Sequence, residues 1–242
     1  RPEGDHESRA GALGSPATSV CRIPARGAAG ERPSMSKIWG RNTSANVQKV
    51  MWALAELGLH FERVDVGGAF GLNRQPAYLE LNPNGLVPTL EEEDDGFVLW
   101  ESNAIVRYLA ERYPGPLDPG SARGRGVAGQ WMDWELSILS PTIRPLFWGL
   151  VRTAPADRDM AAIDAARDKT TNAFAMADRW LGSSPFLAGD AFSFGDIPVA
   201  VMARRYRELV PDRPDMPNLE RWFAEIETRE GFQSRVAAVP MQ

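Results

Sequence analysis

The chain has 242 residues, 43% of them hydrophobic and 24% charged, which is ordinary for a globular protein. Its formal net charge of −5 argues against a nucleic-acid partner, because a phosphate backbone selects a basic surface. The sole cysteine, Cys21, rules out an intrachain disulfide and, with only His6 and His60, counts against a Cys/His zinc site, a Ser-His-Asp triad or a cysteine nucleophile in the folded region.

Residues 1–34 are rich in Gly, Ala, Arg, Pro and Ser and nearly devoid of large apolar side chains, so disorder is expected there. The segment lacks the apolar stretch of a secretory signal, and Glu3, Asp5, Glu7 and Glu31 argue against an organelle transit peptide. Met35 is the expected natural start, with the residues before it an upstream read-through or an artefact of expression. Residues 37–40 read as a short strand. Val47, Val50, Leu54 and Leu57 recur at helical spacing and Gly58 follows as a stop. Residues 61–66 alternate as a strand, and residues 67–81 are glycine-rich at first, then a short irregular helix. Residues 89–93 and 97–100 bracket Asp94-Asp95-Gly96, a hairpin turn. Ile105, Tyr108 and Leu109 mark a helix face that ends at Pro114.

Three prolines and two glycines in residues 114–120 make a linker, and the pattern beyond it is all helical. Residues 130–152 are apolar at mixed spacing, and Pro141 and Pro145 are expected to kink or break this helix. Met160, Ile163, Thr170, Phe174, Ala177 and Leu181 form a stripe closed by Gly182. Phe192 to Ile197 reads as a helix start, with Ser193 to cap, Asp196 to reach back and Phe192 to pack on Ile197. Leu219, Trp222, Phe223 and Ile226 line a last amphipathic helix. No apolar run approaches the roughly 20 residues a membrane span needs.

The segment Asn82-Pro83-Asn84-Gly85-Leu86-Val87-Pro88-Thr89-Leu90, followed closely by Trp100-Glu101-Ser102, carries the most chemistry. Proline disfavours the α region in the residue before it, so Val87 is extended, and the X-Pro bond can be cis. The Val87 main chain can then pair with a peptide as a strand would. Glu101 can accept from an ammonium. The Ser102 hydroxyl and the first free N–H groups of a helix can hold a carboxylate. The order builds a pocket for a small peptide with a charged amino-acid head. Taken singly, a Val-Pro turn and a Glu-Ser helix cap are ordinary structural features.

Val87-Pro88 with Glu101-Ser102 resembles the glutathione-binding half of the glutathione S-transferases, from about Lys37 to the C-terminus. The likeness is to theta-like bacterial members that open with a strand and then Arg-Asn-x-Ser. It implies a thioredoxin-like α/β domain over residues 35–113, a linker at 114–121 and an all-α helical bundle over 122–242. It also implies glutathione as co-substrate bound through Val87, Pro88, Glu101 and Ser102, a small electrophile as second substrate, no metal, a homodimer, a cytoplasmic location and a detoxifying role.

Glutathione is a thiol whose thiolate is the nucleophile, and a free thiol titrates near 8.5. Lowering that by two units takes about 2.7 kcal/mol, within reach of one charge-assisted hydrogen bond plus a helix N-terminus. Ser44 stands after the first strand, six residues before Val50, where similar serine-type transferases place their catalytic serine. It could equally be a plain helix cap, and Asn42, Thr43 and Asn46 are rival donors. Asn46 could be the true N-cap, leaving Ser44 free. No tyrosine lies in this loop. Asn73 and Arg74 sit where the family often has a His-Lys pair for the glycine carboxylate, and Leu86 replaces a Gln or Lys. The electrophile pocket is expected along residues 130–152, with Arg144 and Trp148 touching substrate and most apolar neighbours in the core or a dimer interface. The readings left open are a transferase acting on a small hydrophobic or halogenated electrophile, a glutathione-dependent isomerase or dehalogenase, and a non-catalytic glutathione binder.

Overall fold

The computed structural model describes residues 36–242. The expectations for residues 1–34, Cys21 and Met35 lie outside the described residues.

Strand β1 (Ser36–Trp39) leads to helix α1 (Ala45–Glu56), strand β2 (Phe61–Val64), a 3-10 turn at Gly68–Phe70, helix α2 (Pro76–Leu81), strands β3 (Thr89–Glu92) and β4 (Val98–Trp100), and helix α3 (Ser102–Arg112). The sheet order is β2-β1-β3-β4. β1 runs parallel to β2, as the α1 crossover between them requires, and antiparallel to β3. Asp95 Oδ1 accepts from the Phe97 N–H at 2.9 Å and Gly96 takes φ +70°, which closes the β3–β4 hairpin where the sequence placed it. This is the thioredoxin-like layer that the resemblance implies, with β2 ending two residues short of the expected 66.

Helix α1 is buried continuously from Val47 to Leu54, on every face rather than along one stripe. It packs on α3 on one side and on the later helices α7 (Asp196–Leu209) and α9 (Glu230–Phe232) on another. Its end is a Schellman turn: the Leu59 N–H reaches Leu54 O at 2.9 Å and the Gly58 N–H reaches Ala55 O at 3.1 Å, with Gly58 at φ +65°.

Beyond the linker the chain is helical: α4 (Ala122–Trp134), α5 (Ser140–Phe147), α6 (Met160–Leu181), α7 (Asp196–Leu209), α8 (Pro217–Glu227) and the single turn α9 (Glu230–Phe232). The expected break at Pro141 and Pro145 is corrected. Backbone angles stay helical through Leu139 (−71°, −48°) and Trp148 (−62°, −46°). Each proline lacks an N–H and crowds a carbonyl one turn back. In the turn before Pro141 the ladder widens to a π turn at Glu135–Leu139, and a second π turn at Trp148–Arg152 follows beyond Pro145; the N–H groups of Ser140 and Thr153 bond five residues back.

The first π turn presents Glu135 to α1. Lys49 Nζ meets Glu135 Oε2 at 2.8 Å, with both side chains almost fully buried. Asn103 Nδ2 and Ser140 Oγ also donate to this carboxylate, at 3.3 and 2.5 Å. A second buried carboxylate, Asp196, realises the expected helix start. It accepts from the N–H of Ser193 at 2.9 Å, from the N–H of Leu187 at 3.0 Å and from Trp222 Nε1 at 2.9 Å. Gly195 is the formal N-cap, and its N–H donates to Ser193 Oγ at 3.2 Å.

Removing one member of a buried pair strands the other. Lys49→Met is therefore expected to lower unfolding stability by about 3–5 kcal/mol, and Lys49→Met with Glu135→Leu to recover part of it, read from urea midpoints. Burial pushes the Asp196 carboxyl up to about 6, against four hydrogen bonds that pull it down. A carboxyl raised in the folded state binds more protons there than when unfolded, so its ionised form destabilises the fold above that pKa. Going from pH 7 to pH 4.5, the native protein should gain about 2 kcal/mol relative to Asp196→Asn. A stability difference that does not change with pH would refute the shift.

Candidate functional site

The sheet register assembles the site. Trp39 pairs with Thr89 and Thr89 with Trp100, so these three form a row across β1, β3 and β4. The residues just beyond the row, Gly40, Pro88 and Glu101, therefore emerge at one edge of the sheet. Gly40 lies close enough there that an added Cβ would stand 3.2 Å from Val87 Cβ.

The chain from Gly40 runs into α1 through a braced loop. Gln48 Nε2 donates to Asn42 O at 3.0 Å, and Arg205 of α7 donates to Thr43 O at 3.3 Å. Ser44 follows as the N-cap (φ −75°, ψ 124°), and its carbonyl accepts from the Gln48 N–H at 2.9 Å. Asn46 is thus not the cap: it sits in the first turn, exposed. An N-cap serine ordinarily turns its hydroxyl onto the N–H of N2 or N3. Here the Ser44 hydroxyl makes no such bond, and no acidic side chain occupies the first turn. An unengaged hydroxyl therefore stands beside the free N–H groups and positive end of a buried helix.

The Val87–Pro88 bond is cis. The step is buttressed from behind: Tyr78 Oη donates to Leu86 O at 2.6 Å and Asn82 Nδ2 to the same oxygen at 2.9 Å. Asn73 Nδ2 donates to Gly85 O at 2.7 Å, and Arg74 to Asn84 O at 3.3 Å. Asn73 and Arg74, expected as carboxylate donors, are thus engaged with the turn that carries Val87. Among the described residues the Val87 main chain enters no backbone hydrogen bond, so its N–H and C=O are available as a strand edge.

Glu101 caps α3 with φ +72° and ψ 109°. A left-handed conformation costs a residue with a Cβ on the order of 1–3 kcal/mol and clusters at ligand clamps. It leaves Glu101 exposed while Ser102 opens the helix and is buried.

An open cleft of about 170 Å³ adjoins Ser44. Ile143 and Phe147 of α5, Trp148 and Met202 supply apolar wall, with Thr43 and Asn46 at the near side. Arg144 and Trp148, expected at the electrophile pocket, both line it; Asn42 does not. Trp131, Leu139 and Leu146 are in the core instead. Four arginines face the cleft: Arg41, Arg144, Arg152 and Arg205. Burial and the neighbouring Arg204, Arg152 and Arg41 push Arg205 down to about 10, despite Glu208. Burial and Arg152 lower Arg41 as well.

The family models of the glutathione S-transferase N-terminal and C-terminal domains match residues 43–112 and 132–230. The chain belongs to the glutathione S-transferase family. It is 40% identical over 208 residues to glutathione S-transferase GstB of Escherichia coli K12, covering 86% of this chain and all of that protein. Glutathione S-transferase 3 of Zea mays is 33% identical, covering 85% of this chain and 95% of that one. The theta class glutathione S-transferase of Xanthomonas axonopodis pv. citri, solved with glutathione bound, superposes with a TM-score of 0.82 at 42% identity, covering 86% of this chain and 100% of that chain.

Within this family framework, sequence reasoning missed the left-handed Glu101 and the roles of Arg41, Arg152 and Arg205. The one local signal for Arg41 was the glycine pair at 67–68. Arg41 lies across that bare backbone: a Cβ on Gly68 would meet Arg41 Cδ and Nε at 2.9 Å. Gly68 also takes φ +61°. Gly68→Ala should therefore cost about 1 kcal/mol or more in a thermal melt. Arg41→Ala added to it should recover the steric share and leave the backbone share, a coupling that a double-mutant cycle reads.

Proposed function

We propose that this family member conjugates glutathione to a small electrophile, with Ser44 stabilising the thiolate. The observation that carries the reading is the N-cap hydroxyl of Ser44, unengaged and backed by the free N–H groups of α1 at the mouth of the cleft. The Val87 main chain pairs with the cysteinyl part of glutathione, and cis-Pro88 keeps that edge open. Glu101 accepts the ammonium of the γ-glutamyl head, and Ser102 with the N-terminus of α3 holds its carboxylate. Asn46 is a second donor toward sulfur, while Asn42 serves by its carbonyl. The family membership of the chain and the glutathione bound in the Xanthomonas relative support these roles.

The reaction needs little else, because the nucleophile belongs to the co-substrate. The thiolate attacks an electrophilic carbon, a C–S bond forms, and the leaving group departs with its bonding pair while the thiol proton goes to solvent. The cleft matches a benzene-sized group, since cavities of about 150 Å³ accept one, and Arg144 and Trp148 flank it. A glutathione half up to residue 113 and an electrophile half from residue 122 divide the work. Consumption of a reactive electrophile is detoxifying chemistry. A free thiol persists in a reducing compartment, which favours the cytoplasm; among the described residues no helix is long and apolar enough to cross a membrane. Exposed Phe70, Leu72 and Trp100 in the first half, with Leu136 and Ile138 in the second, support a homodimer that joins unlike halves.

The test is the ultraviolet absorbance of bound glutathione thiolate across pH. A bound pKa about two units below the free value near 8.5 is expected, returning most of the way in Ser44→Ala with a loss of conjugation on the order of 100-fold. An unshifted thiol in the native protein would refute the assignment and leave a binder.

A further inference from the structure

Nine arginines elsewhere in the described structure stand within salt-bridge distance of an aspartate or glutamate, and none of the four that face the cleft does. Arg41 comes from the loop after β1, Arg144 from α5, Arg152 from the π turn that follows, and Arg205 from α7. No aspartate or glutamate lines the cleft with them. Glu208, the carboxylate that bears on Arg205, is held by Arg204 at 2.8 Å. Their own contacts are to aromatic rings and main-chain atoms. Arg205 stacks on the Phe147 ring, 4.5 Å from its centroid, and donates to Thr43 O. Arg152 donates at 2.6 Å to the main-chain oxygen of Gln242, the last residue of the sequence and a terminal carboxylate in this chain, which leaves Arg144 and Arg205 without an anionic partner among the described residues. Arg41 packs along the Gly67–Gly68 backbone.

This collection is unfavourable by itself. The chain carries a net charge of −5, yet four like charges converge on one small space. Arg152 disfavours the charge of both Arg41 and Arg205. An anion entering the cleft relieves that repulsion and finds planar donors shaped for a carboxylate-like group. With the thiolate sulfur at the Ser44 side, as the transferase reading has it, the cations on α5, its π turn and α7 are placed for a second anion.

We propose that the electrophile accepted by this cleft carries a fixed negative charge, a carboxylate, sulfonate or phosphonate, seated on Arg144, Arg152 and Arg205, with an uncharged carbon presented to the sulfur. This deepens the transferase reading and rests on it. The apolar wall of Ile143, Phe147 and Trp148 takes the body of such a molecule, and the arginines take its charged end. The same cations also steer anions toward the cleft, an effect that salt screens.

The test uses a matched pair, 4-chloro-3-nitrobenzoate and 4-chloro-3-nitrobenzamide. In both, the thiolate attacks the chlorine-bearing carbon, the C–S bond forms, the C–Cl bond breaks and chloride leaves with the bonding pair. Each kcat/KM is divided by the uncatalysed rate with glutathione. The benzoate should exceed the benzamide by about tenfold or more, and the ratio should fall toward one in Arg144→Gln with Arg152→Gln and in high salt. The loss should appear in the KM for benzoate and not in the KM for glutathione. Equal treatment of the two probes by the native protein overturns the inference while leaving the transferase reading intact. A rise confined to the glutathione KM also overturns it, because the arginines then hold the glycine carboxylate of glutathione. Failure of both probes, with an unshifted glutathione thiol, removes the transferase reading and the inference with it.

Discussion

The buried bond between Lys49 and Glu135 ties the two halves of the molecule at their most demanding point. Lys49 is on α1, the helix whose first residue is preceded by Ser44; Glu135 is on the turn that opens the wall of the cleft. A desolvated ammonium and carboxylate tolerate little separation, because each is costly without the other. Fixing α1 against the α4–α5 junction fixes the distance between the serine hydroxyl and the groups that face it across the cleft. Asn103 on the same carboxylate extends the tie to α3, directly beside Ser102. One buried charge pair thus references Ser44, Ser102 and the wall of the cleft to a common origin.

The same economy governs the loop between β1 and α1. The carbonyls of Asn42 and Thr43 accept from side chains of α1 and α7, and the Arg41 N–H donates to Val66 O at 3.0 Å. The loop is held by its backbone, so the hydroxyl at its end is left for chemistry. The Val-Pro edge follows the same rule, with Tyr78, Asn82 and Asn73 gripping the carbonyls of residues 85 and 86 and the Val87 main chain left open.

Much of this was legible in the sequence where local chemistry decides it. The period of the apolar residues, the Asp94-Asp95-Gly96 turn and the helix start at Ser193-x-x-Asp196 each carry their own signal and appear where read. The X-Pro step at Val87-Pro88 and the helix start at Glu101-Ser102 were readable because each depends on a short-range rule. The arginine cluster was not, since Arg41 and Arg205 meet only once α7 has folded against α1, and a single arginine in a sequence looks like a solvated charge. Asn73 and Arg74 were read as ligand donors from their place in the family resemblance, and their bonds to carbonyls of an adjacent turn depend on a fold that the local sequence does not display. Pro141 and Pro145 were read as breaks because sequence rules count a lost hydrogen bond and take no account of a ladder that can shift register by one residue.

That register shift has an evolutionary side. A π turn holds one residue more than an α-helix needs at that point, and by fitting five residues where four would stand it absorbs the surplus locally. Loss of a single residue between 135 and 139 would return the ladder to regular α spacing and leave Arg144 and Trp148 on the helix face that they now occupy. The cleft wall of this chain is therefore buffered against a one-residue change in length just ahead of it, and its character changes by substitution instead. What such a deletion would disturb is the buried carboxylate of Glu135, and with it the tie to Lys49.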